Sequence, residues 1–157
     1  MKRISNSTLG ALCLAAALIA TGCARPAGGG LPAEALDHAI GGAIGDPATC
    51  VLLADRASRK VLYSYGEAFN CARPLPACDR PGTLSAQSAL ALADSADARG
   101  ASCASNPENS RSVGWAEGRV AGARRDLIYS AVMEGQRALP GQEISARLDE
   151  AFRRAGL

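Results

Sequence analysis

The stretch CVLLADRASRKVLYSYG, residues 50–66, decides the fold class of this 157-residue chain. Residues 50–55 form an apolar run of strand length, and a second run of similar length covers residues 60–65. The polar residues 56–59 between the two runs are typical of a turn. The stretch therefore predicts a β-hairpin that ends at Gly66.

The segments on either side of this hairpin have helical and loop character. Before it, Leu36, Ile40 and Ile44 recur at four-residue intervals, which predicts a short helix that ends at Gly45. After it, we expect a proline-rich loop, then an alanine-rich helix over residues 84–96 with Thr83 as its N-cap. Residues 100–109 are predicted to be a loop.

Two further strands and a closing helix complete the pattern. The strands are predicted over residues 112–120 and 127–134, and the helix begins after Pro140. The helix has one apolar stripe, formed by Ile144, Leu148, Ala151, Phe152 and Ala155. The sequence thus predicts an α+β domain: a mainly antiparallel sheet of four or five strands with N- and C-terminal helices packed on its apolar face.

The first 22 residues predict export. Two basic residues precede an apolar run over residues 9–20, which is about the length of a signal h-region and too short to span a bilayer. The sequence Ala20-Thr21-Gly22-Cys23 resembles a bacterial lipobox, which implies lipidation at Cys23. An ordinary secretory signal, with Cys23 incidental, is the alternative. We therefore expect a signal peptide (1–22), a lipidated cysteine with a flexible tether (23–32) and one globular domain (33–157).

Export places the protein in the bacterial cell envelope, facing the periplasm, with the membrane as a partner through the lipid anchor. Ala24 stands where an Asp would signal inner-membrane retention, so the outer membrane is slightly favoured. The signal holds two of the 17 basic residues and none of the acidic ones, so 15 of each remain. That balance argues against a nucleic-acid partner.

Four cysteines remain in the exported domain: Cys50, Cys71, Cys78 and Cys103. An even number in an exported chain predicts two disulfides, for which three pairings are possible. The short segment between Cys71 and Cys78 makes 71–78 the easiest closure, and 50–103 follows by elimination. A zinc site is disfavoured, because no C-x-x-C spacing occurs and His38 is the only histidine. No metal or other cofactor is expected.

The order of elements resembles the penicillin-binding transpeptidases and serine β-lactamases, particularly class D. CVLLADRASRKVLYSYG is similar to the first hairpin of that family, and NCARPLPACD (residues 70–79) to the approach to its nucleophile. VGWAEGRV and RRDLIYSAVMEG (residues 113–120 and 124–135) resemble its paired strands after the K-T-G motif. The resemblance implies a transpeptidase-like sheet without the helical domain, since about 30 residues stand in the place of that domain.

The catalytic motifs of that family are not carried over. If Leu75-Pro76-Ala77 aligns with the family's approach, Cys78 stands in place of the serine and Pro81 in place of the lysine. Ser110-Arg111-Ser112 lies near the expected K-T-G. A serine nucleophile needs a neighbouring base, which Pro81 does not supply. The sequence thus favours a non-catalytic domain that acts by binding, with peptidoglycan or another envelope protein as its partner.

Two alternatives remain open. The first is a small disulfide-stabilised envelope binding module of unrelated fold. The second is a thiol hydrolase or acyltransferase with Cys78 as nucleophile, its thiolate stabilised by Arg80 or Arg73. A disulfide at Cys78 excludes the second alternative.

Three residues are candidates for a ligand surface: Trp115, which lies between glycines, and the cations Arg111 and Arg80. A core-packing role for Trp115 is the simpler interpretation. Glu117 and Glu134 are interpreted as solvated residues at strand ends. No catalytic residue is assigned.

Overall fold

The computed structural model describes residues 30–94 and 98–157. The predicted signal peptide, Cys23 and most of the tether lie outside the described residues. Among the residues that are described, no helix has the length and apolar character needed to cross a membrane.

The described residues form four helices and seven strands. The helices are α1 (Ala33–Ile44), α2 (Ala68–Ala72), α3 (Ala86–Leu90) and α4 (Gly141–Arg154). The strands are β1 (Thr49–Asp55), β2 (Val61–Tyr65), β3 (Leu75–Pro76), β4 (Thr83–Leu84), β5 (Arg99–Ala104), β6 (Ser112–Arg119) and β7 (Leu127–Gly135).

Five strands form one antiparallel sheet in the order β2-β1-β7-β6-β5. The most apolar strand, β7, lies at its centre, where eight of its nine residues are buried. β5 is an edge strand, and β3 and β4 pair separately as a small hairpin. The predicted α+β class, the hairpin of residues 50–66 and the two late strands are confirmed.

One face of the sheet, here called the helix face, is covered by α1 and α4. The stripe predicted from the sequence is buried there: Ile144 and Leu148 are fully inaccessible, and the Phe152 ring meets Tyr129 edge-to-face at 5.3 Å. Each fully buried side chain of this kind stabilises the fold by roughly 1.5–3 kcal/mol. The predicted packing of the N- and C-terminal helices on the sheet is confirmed.

The opposite face carries all four cysteines of the domain and is here called the disulfide face. α2, α3 and the β3–β4 hairpin cover it, and a second apolar cluster that includes Leu52, Val113 and Val132 fills the space beneath them. Both faces of the sheet are therefore buried, whereas the sequence pattern indicated one.

The predicted helix over residues 84–96 is wrong in its start and its length. Thr83 and Leu84 pair with the β3 strand instead, and Ser85 is the N-cap, since its side chain accepts a hydrogen bond from the Ser88 amide at 3.2 Å. The helix ends at Leu90. Ala86, Ala89, Leu90 and Ala93 form a buried apolar face, but after Leu90 the chain continues in turns over residues 91–94 and not in a helix.

The predicted loop over residues 100–109 is also wrong, because β5 occupies its first half. This strand consists mostly of small residues and pairs with β6 from Arg99↔Glu117 to Ala104↔Ser112. It lacks the apolar alternation of a half-buried strand, because its side chains lie at the sheet edge and backbone hydrogen bonds hold it in place.

Two glycines allow the start of α4 to rest directly on β5. A Cβ on Gly141 would lie 2.1 Å from the Trp115 carbonyl oxygen, and a Cβ on Gly100 would lie 2.4 Å from the Gln142 nitrogen. Real Cβ atoms do not approach backbone so closely, so both positions require glycine. This contact places Gln142 beside a cleft at the edge of β5.

Candidate functional site

The four domain cysteines form two disulfides, Cys50–Cys71 and Cys78–Cys103, with Cα–Cα distances of 5.2 and 5.3 Å. The prediction of two disulfides is confirmed, but the pairing 71–78 with 50–103 is wrong. Cys50 lies on β1 directly beneath α2, which carries Cys71, so these two sulfurs meet within the core of the disulfide face.

The path of the chain after α2 explains why Cys71 and Cys78 do not pair. Pro74 and Pro76 hold this segment extended, and Leu75–Pro76 forms strand β3 rather than a turn back toward α2. The chain thus reaches the edge of the sheet, where Cys78 adopts a left-handed conformation (φ 67°) and bonds to Cys103 on β5.

The hypothesis of a Cys78 thiol nucleophile is contradicted by this bond. Cysteine attacks as its thiolate, and a sulfur held in a disulfide has no thiolate to offer. Of the two cations proposed to stabilise such a thiolate, Arg80 binds Asp79, and Arg73 donates to Glu134 at 3.0 Å.

A cleft of about 340 Å³ lies beside this disulfide, at the start of β5. Its walls come from the turn after β3, from the beginning of β5, from β6 and from the first turn of α4. Among the described residues that line it, the charged side chains are two acids and two bases: Asp79, Glu117, Arg80 and Arg99. That volume lies in the lower part of the range for small-molecule sites.

Glu117 forms the buried base of the cleft, which corrects its interpretation as a solvated strand-end residue. Only 6% of its surface is exposed, and Arg80 Nη2 lies 3.7 Å from its Oε1. Arg80 is already engaged, because its Nε and Nη2 both donate to Asp79, at 2.7 and 2.6 Å. Burial raises the pKa of the Glu117 carboxyl above its usual range, whereas Arg80 and Arg99 lower this pKa and Asp79 raises it.

Two of the three ligand-surface candidates, Trp115 and Arg80, line this same cleft. Trp115 is also a core residue: 4% of it is exposed, and its indole N–H donates to the Pro76 carbonyl at 2.7 Å. That bond holds the indole ring in place as a wall of the cleft, and it occupies the indole N–H. Trp115 therefore has both of the roles considered for it.

The third candidate, Arg111, lies at the opposite end of β6 and does not reach the cleft. Its Nε and Nη2 donate to the two carboxylate oxygens of Glu134, at 2.8 and 2.7 Å. Ser105 and Arg73 donate to the same carboxylate, at 2.8 and 3.0 Å. Chiefly because of the bonds from Arg111, the pKa of Glu134 is lowered to about 2.

Glu134 is 6% exposed and, like Glu117, is not the solvated strand-end residue expected from the sequence. Its four hydrogen bonds join α2, the β5–β6 turn and β7 at one end of the sheet. The two carboxylates do not form a pair, since Glu117 lies opposite Ser130 in the register and Glu134 lies opposite Val113. Glu134 is a structural anchor.

Sequence reasoning missed Glu117 and Arg99 as cleft residues, although a signal for Glu117 existed. Val113, Trp115 and Glu117 alternate along β6, so a buried Trp115 places Glu117 on the same buried face. Arg99 gave no such signal, because its strand was interpreted as a loop. Within residues 30–94 and 98–157, no group of three His, Cys, Asp or Glu residues is arranged to hold a metal ion.

Comparison of the chain with protein families, curated proteins and solved structures finds no significant match.

Proposed function

We propose that this chain is a lipid-anchored protein of the bacterial cell envelope whose domain is a reduced, transpeptidase-like sheet that acts by binding. The observation that carries this proposal is the Cys78–Cys103 disulfide. It joins Cys78, which the resemblance places at the family's nucleophile position, to the edge strand β5, and a charged cleft lies beside it. A cross-link there is suited to holding a binding site rigid and not to acyl transfer.

The arrangement of the elements supports the transpeptidase-like part of the proposal. A helix and a hairpin begin the domain, and three consecutive antiparallel strands and a helix end it. The first and last helices pack on the same face of the sheet. This is the order of elements on which the resemblance was based. It covers about residues 32–78 and 110–157, and β4, α3 and β5 lie in the segment between them.

The proposed partner is peptidoglycan or another envelope protein. The cleft offers both signs of charge beside a rigid aromatic wall, which suits a polar peptide better than an apolar ligand. The test is co-sedimentation of the full-length protein, in mild detergent, with purified peptidoglycan sacculi. Pelleting that saturates with protein concentration is expected, and its absence would leave envelope proteins as the partner class.

A disulfide-stabilised binding module of unrelated fold is the second candidate function. It is favoured by the position of both disulfides, which tie α2 and the turn after β3 to the sheet. Competition of sacculus binding by an intact β-lactam, without covalent labelling, distinguishes the two, because only a transpeptidase-like cleft would retain non-covalent affinity for that compound.

Fluorescent penicillin is expected to leave no covalent label on the wild-type protein. Acylation needs a nucleophile, an adjacent base and donors for the developing oxyanion around one carbonyl. Cys78 is bonded to Cys103, and Arg111 is held by Glu134. The assay is gel fluorescence after denaturation, with a serine penicillin-binding protein as positive control. A band that disappears in Cys78→Ala/Cys103→Ala would show that the protein is an enzyme.

The Cys23→Ser variant is expected to lose acyl labelling and to move from the detergent phase to the soluble periplasmic fraction, because the acyl chains supply the membrane affinity. Metabolic labelling with an alkyne fatty acid followed by detergent phase separation measures both effects. Cys13→Ser, within the predicted signal, is the matched control and should retain the label. Acyl labelling that persists in Cys23→Ser would contradict lipidation at this residue.

A further inference from the structure

We propose that the cleft at the start of β5 binds a free amino-acid group, with the ammonium of the ligand paired to Glu117 and its carboxylate to Arg99. This inference rests on the proposal that the domain acts by binding, and it names the class of ligand.

The first step of the argument is the state of Glu117. A carboxylate that is 94% buried is normally paired by short hydrogen bonds, as Glu134 is by four donors. Arg80 pairs with Glu117 only at 3.7 Å and gives its two shorter bonds to Asp79. Glu117 therefore keeps the capacity to accept hydrogen bonds from a cation that enters the cleft.

The second step is the position of Arg99. In the β5–β6 register Arg99 lies directly opposite Glu117, so both side chains leave the sheet on the same face. Arg99 is exposed and lines the cleft, whereas Glu117 lies at its base. The cleft thus presents a buried negative group and an accessible guanidinium side by side.

The third step is the charge balance. Among the described residues of the cleft, Asp79 and Arg80 neutralise each other, which leaves the Glu117 carboxylate and the Arg99 guanidinium for a ligand. A ligand with an ammonium and a carboxylate close together satisfies both, and a ligand with a single charge leaves one of them without its complement. The volume of about 340 Å³ suits one or two amino-acid residues. Trp115 supplies an apolar wall for the carbon skeleton.

The test uses three achiral probes on the full-length protein in detergent: glycine, N-acetylglycine, which lacks the ammonium, and glycinamide, which lacks the carboxylate. Amide chemical shifts around Arg80, Arg99 and Glu117 are followed by NMR titration. Glycine is expected to bind saturably in the millimolar range, at least about 10-fold more tightly than either derivative, because each derivative loses one charged hydrogen-bonding group.

Two variants assign the two halves of the ligand. Glu117→Gln is expected to weaken glycine binding at least about 10-fold, and Arg99→Gln to do the same while changing glycinamide binding less than about twofold. Glu108→Gln removes a carboxylate from the β5–β6 turn, away from the cleft, and should change nothing. Arg99 is an exposed side chain, so Arg99→Gln keeps the test valid even where Glu117→Gln fails to fold.

The thermal stability of the Glu117→Gln variant shows whether Glu117 serves to bind a ligand or to stabilise the fold. A neutral amide removes a desolvated charge, so its Tm is expected to rise by about 2–4 °C. A fall in Tm with unchanged glycine binding, or equal shifts from all three probes, would overturn the inference. If both Glu117→Gln and Arg99→Gln still pellet with sacculi, the inference about the ligand is wrong and the proposed function stands. If the wild-type protein itself does not pellet, the result counts against peptidoglycan binding and not against the inference about the cleft.

Discussion

A Cys50→Ala/Cys71→Ala variant is expected to unfold about 10–15 °C below the wild-type protein. The bridge closes a segment with a sequence separation of 21, and in the chain-entropy model a loop of that size contributes about 3 kcal/mol to the free energy of unfolding. Both sulfurs are also buried in the disulfide face, so their removal leaves a cavity that adds to the loss. Thermal unfolding monitored by circular dichroism measures the effect.

The matched control is Cys78→Ala/Cys103→Ala, which opens a segment of similar separation, 25, and leaves the first bridge intact. Because both of its cysteines are half-buried, the cavity is smaller, and we expect a decrease in Tm of about 8–12 °C. Non-reducing peptide mapping of the wild-type protein checks the pairing itself. A peptide that joins Cys71 to Cys78 would contradict the pairing and the chain path described here.

The disulfide pairing shows that the spacing of cysteines in the sequence does not determine the course of the chain in the folded domain. Closure entropy favours the nearest cysteines, and Cys71 and Cys78 are the nearest pair. That argument assumes a flexible segment between them, whereas Pro74 and Pro76 make this one extended and direct it across the sheet. The sequence contained the prolines, but the surface that receives the extended chain forms only when β5 pairs with β6.

Elements with a strong hydrophobic period could be predicted, and elements held by backbone pairing could not. The hairpin of residues 50–66 and the stripe of α4 follow from apolar side chains that must be buried. β5, with the sequence RGASCA, has no such signal because it lies at the edge of the sheet. Its glycine makes room for the start of α4, and its cysteine bonds to Cys78, so both depend on other parts of the chain. An edge strand of this kind is recognised only from the strand beside it.

The candidate site was predictable in part for the same reason. Trp115 was identified because it lies between Gly114 and Gly118, and Arg80 because it is a cation close to Cys78. Their meeting in one cleft depends on the β3–β4 hairpin, which brings Arg80 over β6. The burial of Glu117 was not predicted, although it could have been inferred from strand alternation, because a carboxylate is normally assigned to solvent unless its strand is known to be covered on that face.

Glu134→Gln is expected to lower the Tm at pH 7 by about 8–10 °C and to reduce the acid dependence of stability between about pH 4.5 and pH 2. Four aspartates whose pKa values are also lowered, Asp55, Asp79, Asp94 and Asp126, account for acid dependence that remains. The pKa of Glu134 is lowered to about 2, from an ordinary value of 4.5. Because the folded state holds this carboxyl deprotonated more strongly than the unfolded chain does, its stabilisation is complete above about pH 4.5. It is lost progressively as the pH falls toward 2, and it amounts to roughly 3 kcal/mol.

The same Glu→Gln substitution at Glu134 and at Glu117 is expected to have opposite effects on stability. Glu134→Gln leaves Arg73 and Arg111 without their shared anion and should destabilise the fold, whereas Glu117→Gln relieves a buried charge and should stabilise it. Chemical unfolding of both variants and of Glu108→Gln, measured at several pH values from 7 to 2.5, compares them directly. If the stability of Glu134→Gln falls with acid in parallel with the wild type, Glu134 is not the group whose protonation weakens the domain. Opposite shifts in Tm for the two variants would instead separate the carboxylate that holds the sheet together from the one that the fold keeps available for a ligand.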